Sequence, residues 1–416
     1  MIHRLEIENF YSIRETQVID LRIGAKVPDE EGRFGCPRDD SDVRVPKTVA
    51  FFGANASGKS NVLRALAFIE WFLADSFTLT PDEPLPLWRF ADGNDSPIRI
   101  KIDFDWLVSQ PLSGELPGPE SRVAHYIYEV KFGGESENLQ ILSEELRLQP
   151  ASGKSRRIFE RSVSGEVQGS VDFPLTGFGQ VLSKLRGNVS LTSTMAQFSE
   201  HEASKAFWDW AGYITSNIFN IPIYISFGAP FGEKEEISEE RIVRFYKERP
   251  RLVDSLNGAL RRVDIGIRSM SFRDTTFGPV PQFHHLGLDH PIEYRLESEG
   301  TRQFFRVYGH IWQSIENGGI AVLDEIDSTI HPILLPEILH WFHDPLTNPH
   351  QAQLWIGGHS ASLLEELKKE EIFFTEKDQQ GRTKVYGLKD IEAVRRVDNF
   401  YQKYLGGVYG AVPRIG

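Results

Sequence analysis

Gly53-Ala-Asn-Ala-Ser-Gly-Lys-Ser60, entered from Thr48-Val-Ala-Phe-Phe52 and left through Val62, Leu63, Leu66, Ile69 and Leu73, is the stretch that decides the fold of this chain. The five residues before Gly53 form a short apolar, β-rich run that suits a strand buried on both faces. From Ser60 to Ala74 the apolar residues recur at helical spacing. Between them lies G-x-x-x-x-G-K-S, the pattern of a phosphate-cradling loop. Glycine at 53 and 58 lets the backbone turn tightly, so that successive N–H groups point inward at an anion. The helix that follows offers its positive end to the same anion. Phosphate contacts are therefore expected from Gly53, Asn55, Ala56, Ser57, Gly58, Lys59, Ser60 and Asn61. Lys59 is placed to reach β- and γ-phosphates, and the Ser60 hydroxyl to join a Mg²⁺ shell.

Downstream, Ile320-Ala-Val-Leu-Asp324-Glu325 reads as a buried strand with two carboxylates at its C-terminal end. Ligands bind at that end of strands in open α/β sheets. Asp324 is expected to hold Mg²⁺ through water and Glu325 to act as general base on a water molecule. Around these two motifs the pattern alternates. A helix is expected at about 301–316, strands at 320–323, 354–356 and 372–375, and helices at 333–342 and 360–368. That order indicates an α/β fold with a mostly parallel, helix-covered sheet. The N-terminal part reads as an antiparallel β lobe, with strands around 5–10 and 18–21 and alternating runs at 98–106, 125–132 and 139–148. Residues 201–270 read as a helical insertion, with a candidate strand at Ile221–Ser226 and a helix break at Pro250. The expected division is thus 1–200, 201–270 and 271–416.

Composition excludes several classes. The chain holds one cysteine, Cys36, so it has neither an internal disulfide framework nor a multi-cysteine zinc site. No run approaches the length of a membrane helix, and the alternating N-terminus is not a signal peptide, so a cytoplasmic setting is expected. The net charge of -13 opposes broad, sequence-blind binding of nucleic acid, which needs an excess of Lys and Arg. Gly24 to Lys47 is polar and reads as an exposed loop. Asp103-Phe-Asp105 reads as a solvated strand face. His284-His285 and His290 lack the i, i+4 helical spacing of a zinc site.

Asp324-Glu325-Ile-Asp327-Ser328, followed by His331-Pro332, resembles the Walker B and D-loop segment of ABC-type P-loop ATPases of the RecF, SMC and OLD-like clade. Glu297-Ser298-Glu299-Gly300-Thr301 resembles that clade's signature, and Gly357-Gly358-His359-Ser360 its switch-histidine segment. Leu5-Glu-Ile-Glu-Asn-Phe10 with Ser12 resembles its N-terminal hairpin. Tyr404-Leu-Gly-Gly-Val-Tyr409-Gly-Ala-Val-Pro413 and Phe373-Phe-Thr-Glu-Lys377-Asp378 resemble RloA-like abortive-infection ATPases. The resemblance implies an ATP- and Mg²⁺-dependent ATPase head that works as a homodimer or higher homo-oligomer with head-to-tail composite sites. Ser298 and Gly300 would then touch the γ-phosphate held by a second subunit, His359 would sense it, and Asp327 would act across the interface near the hydrolytic water. A Q-loop glutamine is not placed, with Gln140 the candidate.

The same resemblance implies a role in antiviral defence, controlling a separately encoded effector of the Toprim-like or another nuclease type. OLD-like proteins carry their Toprim nuclease after the ATPase, and only a short tail follows the His359 segment here. The rival reading is a RecF-like DNA-binding clamp. The signature is not of the Leu-Ser-Gly-Gly-Gln type, which disfavours a solute-transporter ATPase.

Overall fold

The computed structural model describes residues 1–29, 31–36, 38, 41–107, 123–135, 138–150, 152–198, 201–218, 242–263, 266–276, 278–330 and 334–412. The candidate strand at 221–226, the His331-Pro332 pair and Pro413 lie outside these residues.

Thr48–Phe52 is buried at every position and lies in the middle of a six-stranded sheet. The order across the sheet is Ile214–Ser216, Ile320–Leu323, Gln353–Gly357, Thr48–Phe52, Ile372–Lys377 and Thr383–Gly387. The first five strands run parallel and the last is antiparallel. Alternation along the strands divides their side chains between two cores, as a period of two requires. Val49, Phe51, Val322, Trp355 and Phe373 enter one core; Ala50, Phe52, Leu323, Ile356 and Phe374 enter the other. Each phenylalanine so buried contributes about 1.5–3 kcal/mol. The helix Lys59–Ala74 covers the first face and is apolar nearly all round, because the N-terminal lobe packs on its far side. The second face carries the helices Glu299–Asn317 and Leu335–His343.

The N-terminal lobe is a seven-stranded antiparallel sheet built from Ile2–Glu8, Gln17–Asp20, Ile98–Leu107, Val123–Glu135, Asn138–Gln149, Arg156–Arg161 and Val167–Gly169. This agrees with the expected α/β head with an antiparallel lobe.

Residues 201–270 are divided between the cores. The helix Glu202–Gly212 packs Phe207, Trp210 and Ala211 into the first core, and Trp210 stacks on Phe104 at 3.7 Å. Ile214–Ser216, which lay within the helical reading, is a strand at the edge of the parallel sheet. Residues 242–247 and the helix Pro250–Val263 enter the second core through Ile242, Tyr246, Leu256 and Leu260. The break falls at Pro250, which lacks the N–H a continuing helix needs.

Three local expectations are corrected. Residues 24–47 are not simply an exposed loop. Phe34 and Val45 are buried, Asp29 accepts the N–H groups of Arg33 and Phe34, and the Cys36 N–H donates to Gln351 Oε1 at 2.8 Å. The polar residues there serve internal hydrogen bonds. Asp103 and Asp105 are likewise buried, and Arg38 of this segment reaches Asp105 Oδ1 at 3.1 Å. The expected helix at 360–368 is a short 3₁₀ segment, Ala361–Glu365.

Candidate nucleotide site

Parallel strands place their C-terminal ends on one edge, and three such ends meet here. Thr48–Phe52 leads into the loop 53–58, Ile320–Leu323 into Asp324, and Gln353–Gly357 into His359. The register sets Phe51 opposite Gly357 and Ile356 opposite Leu323. Loop and carboxylates therefore emerge side by side.

The loop has the backbone its glycines were expected to allow. Gly53 has φ 158° and Gly58 φ 113°. A Cβ on Gly58 would lie 2.3 Å from Thr383 Oγ1, and one on Gly53 would lie 2.3 Å from Thr375 O. Ser57 Oγ and Thr375 Oγ1 share a hydrogen bond of 2.6 Å, and Thr383 Oγ1 donates to Ser57 O at 2.8 Å. Ser12 completes the clasp: its hydroxyl pairs with Thr383 Oγ1 at 2.8 Å and accepts from Asn61 Nδ2 at 2.6 Å. Ser12, Thr375 and Thr383 were not singled out as site residues. They reach the loop through tertiary contacts that no local spacing records.

Lys59 is buried and curls over its own loop. Its Nζ donates to Gly53 O at 2.8 Å and Ala54 O at 3.1 Å, and lies 3.4 Å from His359 Nδ1. Burial lowers its pKa, opposed by the nearby charges of Asp324, Asp327 and Glu325. The first-turn amides of a helix have no carbonyl four residues back to bond. At the start of Lys59–Ala74 the Asn61 N–H is taken by Gly58 O at 3.1 Å, and those of Lys59 and Ser60 remain for an anion beside the Lys59 ammonium.

Asp324 is locked by Asn217, whose Oδ1 accepts the Asp324 N–H at 2.8 Å and whose Nδ2 donates to Asp324 O at 3.0 Å. A Cβ on Gly357 would lie 2.4 Å from Asp324 Oδ1, so glycine there leaves the carboxylate its room. The Ser60 hydroxyl on the cradle and the Asp324 carboxylate are hard oxygen donors of the kind Mg²⁺ takes. Glu325 is exposed and has φ 50°. A non-glycine residue held in that left-handed region costs about 1–3 kcal/mol, which the surrounding packing must sustain. Asp327 Oδ2 accepts the N–H groups of both His359 and Ser360.

Ser298 and Gly300 are placed apart from this group. They sit exposed at the head of the helix Glu299–Asn317, where Ser298 Oγ accepts the Thr301 N–H at 3.1 Å as an N-cap. Gln140 lies on the antiparallel lobe with its amide donating to Asn138 Oδ1. His284 bonds Ser271 and His285 bonds Glu297.

A family model described as "AAA domain, putative AbiEii toxin, Type IV TA system" matches residues 49–365, which hold both the loop and the carboxylates. No curated protein matches the chain. Among solved structures, the chain is similar to an SMC head bound to the C-winged helix domain of ScpA, at 14% identity and TM-score 0.46, over 93% of this chain and 97% of that one. It is also similar to the SMC head domain from Thermotoga maritima, at 14% identity and TM-score 0.38, over 93% and 98%. A third is an SMC head with an extended coiled coil bound to the C-terminal domain of ScpA, derived from Pyrococcus furiosus, at 14% identity and TM-score 0.42, over 93% and 96%.

Proposed function

We propose a function from the premise that the chain belongs to the AAA domain family whose model spans residues 49–365. The protein binds ATP with Mg²⁺ on the loop 53–60 and hydrolyses it. One observation carries this reading: Lys59 lies 3.4 Å from His359, and the charges of Asp324, Asp327 and Glu325 act on its ammonium. A cation that reads phosphate, carboxylates that hold metal and activate water, and a histidine within reach of the same cation are the parts phosphoryl transfer needs.

The roles divide as follows. Lys59 exchanges its loop carbonyls for β- and γ-phosphate oxygens. Glu325 orients the attacking water and takes its proton. His359 contacts the γ-phosphate, and Asp327 holds the turn that carries it. Mg²⁺, held by the Ser60 hydroxyl and through water by Asp324, would neutralise phosphate charge. The exposed Ser298–Gly300 tip supports composite sites, completed by the helix N-terminus of a second, head-to-tail protomer.

In the cell the ATPase is the sensor or regulatory subunit of a bacterial abortive-infection system, and it controls a separately encoded nuclease-type effector. Among the described residues no helix is long and apolar enough to cross a membrane. The test of the chemistry is Glu325→Gln, which keeps shape and loses basicity. It should bind ATP and lose turnover, and normal turnover removes Glu325 from the role. The test of the biology is co-purification from the native operon. Tight binding of duplex DNA at physiological salt with no protein partner would instead support a RecF-like clamp.

A further inference from the structure

At the far end of the antiparallel lobe, two imidazoles converge on one carboxylate. His3, Asp105 and His125 stand on three neighbouring strands and are 2%, 2% and 9% exposed. Asp105 and His125 are direct cross-strand partners. His3 joins them through an irregularity: the pairing skips from Ile2 opposite Phe104 to Arg4 opposite Asp103, which leaves His3 in a bulge. Bulges re-aim a side chain, and this one turns His3 onto the polar face. His3 Nε2 lies 2.5 Å from Asp105 Oδ2, and His125 Nδ1 lies 2.8 Å from Asp105 Oδ1. The two rings meet edge to face at 4.8 Å.

We propose that His3, Asp105 and His125 are the protein ligands of a structural transition-metal site of the zinc type. Two imidazole nitrogens and a carboxylate oxygen are a donor set Zn²⁺ takes. One ligand atom from each residue can be chosen so that all lie within 4.8 Å of one another. Ligands about 2.0–2.1 Å from a tetrahedral ion stand roughly 3.3 Å apart, so the hydrogen-bonded pairs need to open by less than an ångström and the widest pair to close by up to about 1.5 Å.

A second observation points the same way. Two residues before Asp105 on the same face, Asp103 is buried with its Oδ1 lacking a hydrogen-bond partner among the described residues. A buried carboxylate oxygen left unpaired is costly, and a cation beside it removes that cost. Arg38 Nε approaches Asp105 Oδ1 at 3.1 Å and the Met1 amino group bonds Asp105 O at 3.2 Å, so a dication there would compete with both for the Asp105 charge, which the buried Asp103 supplements. The site would pin the first strand to its two neighbours in the antiparallel sheet.

The experiment uses the untagged full chain without nucleotide, loaded with Zn²⁺ and dialysed, with zinc measured by mass spectrometry. About one zinc per chain is expected. His3→Gln and His125→Gln should each lower the affinity about tenfold or more, while Ser60→Ala, on the nucleotide cradle, should leave it unchanged. Because the variants could unfold, a chelator is also added to the wild-type protein, where it should lower the unfolding temperature by several degrees. Sub-stoichiometric zinc with no chelator effect overturns the site, as does zinc that survives the double histidine variant or that is lost in Ser60→Ala.

Discussion

Asp327 accepts the backbone N–H of His359 at 2.5 Å, and with it that of Ser360. The segment after the Ile320–Leu323 strand thereby fixes the turn after its neighbour, within a single chain. The carboxylate thus has a task besides any role across a dimer interface. Hydrogen bonds to a charged group are worth about 1.5–3 kcal/mol each. Asp327→Ala should release the His359 turn, leaving ATP affinity near wild type and lowering turnover about ten- to a hundredfold. Nucleotide-binding titration and steady-state turnover, run together, check this. Equal losses in both would mean that Asp327 supports the cradle as a whole.

The glycines of the loop permit a sharper test. At Gly58 an added Cβ meets Thr383 at 2.3 Å and the φ of 113° is unfavourable besides. At Gly93, φ is 74° and nothing lies within 4 Å. Gly93→Ala therefore carries the backbone penalty alone, about 1–3 kcal/mol, and should bind ATP normally. Gly58→Ala carries the clash as well and should lose ATP binding. If both bind alike, the clasp by Thr383 has no functional weight.

How far these features could be read from the sequence follows from their range. The loop was legible because its requirements are local: a strand, two glycines, a lysine and a helix within a short stretch. The position of Asp324 was legible because parallel strands share an edge, while His359 was singled out by the resemblance of its segment and stands after the neighbouring strand. Ser12, Thr375, Thr383 and Asn217 were not, since each is a common polar residue whose contact is made only by the sheet order. Asp105 was misread for the same reason. Alternation assigns it to the polar face of its strand but says nothing of what meets that face, and here Arg38, His3 and His125 do.

Glu144 offers a test of the lobe independent of nucleotide. It is fully buried, accepts the Leu191 N–H at 2.9 Å and the Tyr128 hydroxyl at 3.1 Å, and lies 3.9 Å from Arg161. Burial pushes its pKa up, yet removing it strands the Arg161 charge in the interior. Glu144→Ala should cost about 3–5 kcal/mol in urea unfolding. Glu144→Gln keeps the volume and one of the two acceptor oxygens and should cost less. A larger loss for Gln than for Ala would refute the account.

The composite-site reading makes a quantitative claim about mixed protomers. In one chain the Ser298 hydroxyl is occupied by the Thr301 N–H at the exposed head of its helix. A head-to-tail pair contains two sites, each joining Lys59 of one protomer to Ser298 of the other. Lys59→Ala alone and Ser298→Arg alone inactivate both sites of their own dimers. Mixed in equal amounts, half the dimers carry one of each chain. In those, one site combines both defects and the other has neither. Turnover should therefore return to roughly a quarter of wild type, since half the dimers regain half their sites. Sedimentation supplies a second reading: Glu325→Gln should dimerise on adding ATP, and Lys59→Ala should not. Failure of mixing to restore turnover, together with a monomeric Glu325→Gln protein in ATP, would remove Ser298 from the site and leave it as the helix cap it forms in the single chain.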